Sequence, residues 1–362
     1  MGVSGYRQIS HAALGGFCNE LFAAYGFSAA ESGQIAEVIL RADLYGIESH
    51  GVHRLIRYHE EIHNGFVDVG AKSEIVHETP ISAVIDAHKA MGQLVSIEAM
   101  ALAMQKAKVS GIGMSAVRNS NHYGIASYYS EMALREDLAG ICMTNTEAIC
   151  VPTHAKRAML GTNPIAFAIP ALPVPFSFDA STTVVPRGTL EVFKNNGEKL
   201  PDSWALDQNG KPCTDAAFVL GNIIGKLGGG IAPLGGAGEK TAGHKGYGLA
   251  AMVDIFTGIF SSGLTSNHVN TQTGVAGMCH YFCAFDYGLF GDKAVIRQNL
   301  SHFLQELRDT PKADGQSRVY IPGERNLESL TLRQNALIPV SAQTYAELQK
   351  IAQEMHIPFN LT

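Results

Sequence analysis

Apolar positions recur at helical spacing through most of the first hundred residues. Ser28-x-x-Glu31 has the form of a capping box, in which hydroxyl and carboxylate each take up the other's backbone N–H, and it predicts a helix through Tyr45. Residues 48–62 follow as a second helix, with Asn64-Gly65 as its stop. A short strand at 82–85 precedes an Ala/Met-rich helix at 93–109, whose small and flexible side chains suit close packing on a sheet.

From Gly111 the pattern changes to short, continuous apolar runs of the kind found in buried strands, at 112–117, 140–143, 165–169 and 176–179. A loop at 118–124 and a helix at 125–135 separate the first two, and Pro-rich 171–175 precedes the last. Residues 195–243 carry many Gly, Asn, Asp and Pro and predict long surface loops, with the glycine clusters at 228–230 and 235–238 marking a flexible lid or excursion. The most apolar stretch, 247–260, includes Asp254, is too short to span a bilayer and predicts a buried helix. A helix at 342–355 ends the chain, packing back onto the N-terminal helices. Together these elements describe an α/β protein with a helical domain, 1–75, joined by 300–362, and an α/β domain, 76–299.

Composition narrows the class. With 362 residues, 46% hydrophobic and 17% charged, the chain can bury a large core and is neither disordered nor fibrous. A net charge of −6 without a basic run excludes an electrostatic footprint for nucleic acid or a membrane surface. No basic head followed by an apolar run opens the chain. Six scattered cysteines without a C-x-x-C pair fit reduced thiols in a cytoplasmic protein. Cys279, His280 and Cys283 lack a second pair at metal-ligand spacing and read as packing.

The candidate chemistry begins at 48–62. On a helix, His50, Arg54, Arg57 and Tyr58 share one stripe. An imidazole beside a guanidinium suits a 2-hydroxy or 2-oxo acid: the histidine moves the hydroxyl proton and the arginine grips the carboxylate with two prongs. A solvated polar face is the plainer alternative. His59-Glu60-Glu61-Ile62-His63 spells the H-E-x-x-H of zinc peptidases, but both histidines fall on the apolar stripe and no third ligand follows, so a zinc hydrolase is a distant alternative. Neither G-x-G-x-x-G after a strand nor a P-loop occurs, so a nucleotide must be held in another way. Arg118 to Gly124, between a strand and a helix, can offer backbone N–H groups and His122, or can merely cap the helix. Gly161-Thr162-Asn163-Pro164 and Phe178 to Thr183 suit ribose or amide contacts and suit turns equally. His244-Lys245 opens an apolar helix with a cation suited to phosphate.

In chain order, Ser49-His50-Gly51 with Arg54 and Tyr58, then 118–124, 161–164, 178–183, Trp204-Ala205-Leu206-Asp207 with Gly210, 244–248 and 320–324 resemble the type-2 malate/L-lactate dehydrogenase family. That family includes malate, sulfolactate and ureidoglycolate dehydrogenases and diketogulonate reductase. The resemblance implies a homodimeric NAD-dependent oxidoreductase, with NADP as the alternative cofactor, built on a non-Rossmann mixed β-sheet. It further implies proton transfer by His50, supported by Ser49, with His122 as co-candidate, and substrate contacts from Arg54, Tyr58 and Thr162. Thr146, Asp179, Ala180, Ser181, His244, Lys245, Gly323, Glu324 and Arg325 match cofactor-contacting positions, and no metal is implied. The Asn-Ser-Asn-His-Tyr-Gly form sits closest to the malate and sulfolactate members, so malate/oxaloacetate is the first expected pair, lactate or sulfolactate the next. Ureidoglycolate dehydrogenase or diketo-acid reductase is the alternative within the family. One departure is Thr189, where relatives often carry Lys or an acidic residue, which leaves no acidic third member for a relay through His50.

Overall fold

The computed structural model describes residues 5–271 and 274–361. β1 (Tyr6–Ser10) leads into α1 (His11–Ala24) and α2 (Ala29–Leu44). The Ser28–Glu31 capping box is present at the start of α2, satisfying two amides that a helix end would otherwise leave bare. Single 3-10 turns at Glu48–His50 and Val52–Arg54 precede α3 (Leu55–His63). The sheet-forming region holds β2 (Glu74–Glu78), β3 (Ser82–Asp86), α4 (Gly92–Ser110), β4 (Ile112–Ser120), α5 (Ala126–Met132), β5 (Ala139–Thr144), β6 (Ile165–Ile169) and β7 (Phe176–Ala180). An excursion follows with α6 (Arg187–Asn196), β8 (Ala205–Leu206), α7 (Ala216–Gly225) and β9 (Gly230–Ile231). The chain then forms α8 (Gly243–Asp254), continued by a π-helical turn at Ile255–Ile259, β10 (Met278–Phe285), α9 (Lys293–Asp309), α10 (Glu324–Gln334), β11 (Leu337–Ser341) and α11 (Ala342–Glu354).

Seven strands form one mixed sheet in the order β2-β3-β4-β10-β5-β6-β7, in which only β3 and β4 run parallel. α4 and α5 cover one face, packing Val95, Ala99, Ala103 and Tyr129 against Phe282 of β10, the small residues of α4 allowing the close approach expected of it. Met143, Val253, Tyr281 and Cys283 fill the other face beneath α8. A separate core of Phe17, Phe22, Ile35, Leu55 and Tyr58 is closed by Ile338, Leu348 and Ile351, and β1 pairs with β11 in antiparallel register.

Three expectations need correction. Residues 48–62 are not one helix: Gly51, at φ −86° and ψ −145°, interrupts them. Residues 195–243 are not simply loops, because α7, β8 and β9 enclose a small core of Leu190, Leu200, Val219, Leu220 and Ile231. The apolar stretch at 247–260 is only half covered, with Ile255, Ile259 and Phe260 46%, 56% and 53% exposed. Composition alone could not separate a buried helix from one with an unpartnered apolar side.

Candidate active site

The strand register brings the ends of β4 and β5, the starts of β10 and β6 and the end of β7 to one edge of the sheet: Ser120 lies opposite Met278, Thr144 opposite His280, Met143 opposite Ile165, and Ile165 opposite Ala180. The loops holding His122, Thr146, Thr162 and Ser181 leave from that edge.

His122 is buried, and the Tyr58 hydroxyl meets its Nδ1 at 2.7 Å, a bond that crosses from α3 to the sheet. The rings of His122 and His50 stack 28° from parallel with centroids 5.7 Å apart. The Ser49 hydroxyl lies 2.9 Å from His50 Nδ1. Both imidazoles are thus backed at Nδ1 by a hydroxyl, which can donate or accept, and both keep Nε2 for other chemistry. Loss of solvation, and then the charges of Arg54 and Arg57, pull His50 down to about 3. Burial and then Arg57 hold His122 well below the ordinary histidine value. Both rings are therefore neutral at pH 7, the form able to accept a proton.

The turn that presents His50 is built from beneath. Asp43, buried at the end of α2, accepts the Val52 N–H at 2.9 Å. A Cβ on Gly51 would lie 1.9 Å from the Asp43 carboxylate, so the turn requires glycine. From α10, Arg333 donates to the Asp43 carbonyl at 2.7 Å and to the Glu48 carboxylate at 3.2 Å. Arg54 donates through Nε to the Ser49 carbonyl at 2.5 Å, and no described residue bonds its two terminal nitrogens.

Thr146 and Thr162 form a hydroxyl pair at 3.3 Å, and the Thr162 N–H donates to Thr146 Oγ1 at 2.9 Å. Asn163 sits behind them. Its Oδ1 accepts the Thr146 N–H at 3.2 Å, and its Nδ2 donates to the Ala250 carbonyl and Asp254 of α8. Asn145 donates to the same Asp254 at 3.2 Å. Asp254 therefore anchors a buried amide network that fixes both threonines. The next loop closes on them, because Thr182 donates to the Thr162 carbonyl at 2.8 Å and Leu234 to the Thr182 carbonyl at 2.8 Å. Gly246 packs so closely on Leu234 that a Cβ would lie 2.3 Å from its carbonyl, so the start of α8, with exposed His244 and Lys245, is held against the segment that bonds Thr182.

Other expected positions are differently occupied. The Tyr58 side chain is 1% exposed and committed to His122, so it does not project as a free substrate contact. Asp179 accepts the Ser127 N–H at 2.8 Å and caps the first turn of α5. Glu324 is buried and accepts from Arg308 at 2.6 Å, Arg318 at 2.8 Å and the Ile321 N–H at 3.0 Å, so its carboxylate is engaged within its own loop. Gly323 and Arg325 lie beside the first half of β7, where Ser177 donates to the Pro322 carbonyl at 3.2 Å, and Arg325 covers the Tyr320 ring at 4.3 Å. They are separate from the threonine pair.

Of the zinc-like pair, His59 is held by Tyr25 and, at 2.9 Å, by Glu354, while His63 Nδ1 turns to the His59 carbonyl at 2.9 Å. Among the described residues no group of three or more His, Cys, Asp or Glu side chains is arranged to hold a metal ion. His280 is buried between the Thr144 and Ser120 hydroxyls at 2.7 and 2.8 Å and stacks on Tyr123 with centroids 4.6 Å apart. Asp43 was not singled out from the sequence, and Asn163, Asp254 and His280 were read there only as part of a turn, a charge within an apolar stretch and a packing residue. A histidine within an otherwise apolar strand, and Asp254 within an apolar helix, were the available signals.

Residues 9–349 match the sequence profile described as malate/L-lactate dehydrogenase. A malate dehydrogenase of Pyrococcus abyssi is 40% identical over 324 residues, covering 89% of this chain and 88% of that protein. The structure of malate dehydrogenase from Pyrococcus horikoshii superposes with a TM-score of 0.89 at 35% identity, covering 99% of both chains. Sulfolactate dehydrogenase from Methanocaldococcus jannaschii superposes with a TM-score of 0.87 at 31% identity, covering 97% of this chain and 98% of that one.

Proposed function

Because the chain belongs to the malate/L-lactate dehydrogenase family, we propose that it moves hydride between a nicotinamide and C2 of a small 2-hydroxy or 2-oxo acid, with malate and oxaloacetate as the first pair. The observation that carries this reading is the pair of neutral imidazoles, each backed by a hydroxyl, standing beside the free fork of Arg54. His50 takes the hydroxyl proton through Nε2 in oxidation and returns it in reduction. Ser49 holds its other nitrogen, and His122, behind it and fixed by Tyr58, is the second proton carrier. Arg54 binds the C1 carboxylate, since a planar fork matches a carboxylate where an ammonium does not.

NAD is the proposed cofactor, and when bound it supplies the hydride chemistry. The Thr146–Thr162 pair, Ala180, Ser181, His244 and Lys245 fit such a group, offering hydroxyl donors and a cation at one edge of the sheet. The strand order, with one parallel pair among six, supports a cofactor seat unlike the doubly wound nucleotide fold. Gly323 and Arg325 extend the seat along β7, and Glu324 acts there by shaping the loop. We further propose a division into a helical domain of 1–75 with 300–362 and a cofactor domain of 76–299. Association of two copies through the exposed side of α8 and its π turn completes the proposal.

A panel of 2-oxo acids, each supplied with NADH and with NADPH and followed at the nicotinamide absorbance, tests the activity. Oxidation of NADH fastest with oxaloacetate is expected. An unchanged absorbance with every acid would refute the reading.

A further inference from the structure

Arg57 stands one turn beyond Arg54 and is held in the same manner. Its Nε donates to Glu61 Oε1 at 2.7 Å, in a pair whose side chains are 28% and 13% exposed. No described residue bonds its two terminal nitrogens, just as none bonds those of Arg54. The two guanidiniums, at i and i+3, border one site, since the charges of both act on His50 and on His122. Both rings beside them are neutral, and Glu61 is directed at the back of Arg57. Arg54 and Arg57 thus each present a guanidinium fork, with Glu61 behind Arg57 and the Arg187–Glu191 pair of α6 near Arg54, so two acid groups of one ligand can each take a fork.

We propose that Arg57 is the specificity-determining residue that binds the distal acid group, a carboxylate or a sulfonate, of a dianionic 2-hydroxy or 2-oxo acid whose C1 carboxylate is on Arg54. This rests on the activity proposed above and deepens it. Glu61 orients the fork through Nε, and the terminal nitrogens give the distal group the two-pronged contact that an uncharged substrate end cannot accept. Lactate and pyruvate leave that fork unfilled.

The test compares oxaloacetate with 2-oxobutanoate, which has the same chain length and no distal charge, in the native enzyme and in Arg57→Gln. One charge-assisted hydrogen bond is worth roughly 10- to 150-fold, so the oxaloacetate-to-2-oxobutanoate ratio of kcat/KM should fall by that factor in the variant. A ratio that moves by less than about tenfold overturns the assignment, including the case where both substrates decline together because Arg57 only shapes the helix. Arg57→Lys should recover part of the ratio, as it keeps the charge but not the fork. If the native enzyme turns over neither acid, malate and oxaloacetate as the first pair are refuted. Calorimetric binding of the two acids to the NADH-loaded native and variant proteins then decides Arg57 separately: a preference for oxaloacetate that Arg57→Gln abolishes supports the assignment, and no preference in the native protein ends it.

Discussion

His50 and His122 acquire their character from what touches them. Each has a hydroxyl on Nδ1, each has lost solvent, and each is pushed toward neutrality by the arginines of the same cluster. Unfolded histidines take up protons near 6.5, and these do so only at lower pH, so the unfolded state binds more protons between those values. Their contribution to stability is therefore present above about 6.5 and lost as pH falls toward 3. Tyr58→Phe tests the hydroxyl on His122 at almost constant shape. A protonated ring donates more strongly to that oxygen than a neutral one, so losing it lowers the histidine pKa further. The expected result is a fall in kcat of roughly tenfold, with the acid limb of the pH profile moved to lower pH and NADH affinity retained. A profile that keeps its position would mean that Tyr58 only packs. The histidines and Arg54 were legible in the sequence because their chemistry is written in their side chains. Arg57 could be placed on the stripe, but its availability depends on how Glu61 holds Nε, a distance that spacing does not encode. Glu324 shows the converse, since its carboxylate is spent on Arg308 and Arg318, which meet it only in the folded chain.

The elements that form the site are short and interrupted. α2 and β4 to β7 follow from capping and apolar runs, which are local signals. The break at Gly51 does not, because it arises from a carboxylate eight residues earlier that occupies the space of the missing Cβ. The glycine in Ser49-His50-Gly51 was the available warning, being a weak helix former at the centre of a proposed helix. Gly51→Ala must displace Asp43 and sacrifice its bond to the Val52 N–H. Overpacking together with a lost hydrogen bond costs roughly 2–4 kcal/mol, read as a Tm lowered by several degrees in calorimetry. A Tm within about 1 °C of the native value would show that the turn tolerates a side chain. The excursion containing α6, α7, β8 and β9 was hidden for a different reason: Gly, Asn and Pro dominate its composition, while its few apolar residues converge only when the two helices meet.

On the scale of the whole molecule, the sheet is covered by α4 and α5 on one side and by α8 on the other, and the outer side of α8 and its π turn keeps a row of apolar side chains in solvent. Large contiguous apolar patches of this kind mark protein contacts. Light scattering of the native protein should give twice the mass of one chain, and Ile259→Glu should reduce it to the mass of one. A native protein that scatters as a single chain would remove the proposed association. The superposed malate dehydrogenase structure, 35% identical, shares this architecture over 99% of both chains. The mixed α/β class was legible from the alternation of helical and strand-like runs, whereas the order of strands was not, since β10 inserts between β4 and β5 from more than a hundred residues away.

The pairing of β1 with β11 imposes a schedule on synthesis. Phe17, Phe22 and Ile35 leave the ribosome early, yet the residues that cover them, Ile338, Leu348 and Ile351, are made about three hundred residues later. A growing chain must carry these side chains uncovered while all the intervening residues are made, and the core beneath His50 can settle only once β11 and α11 have emerged.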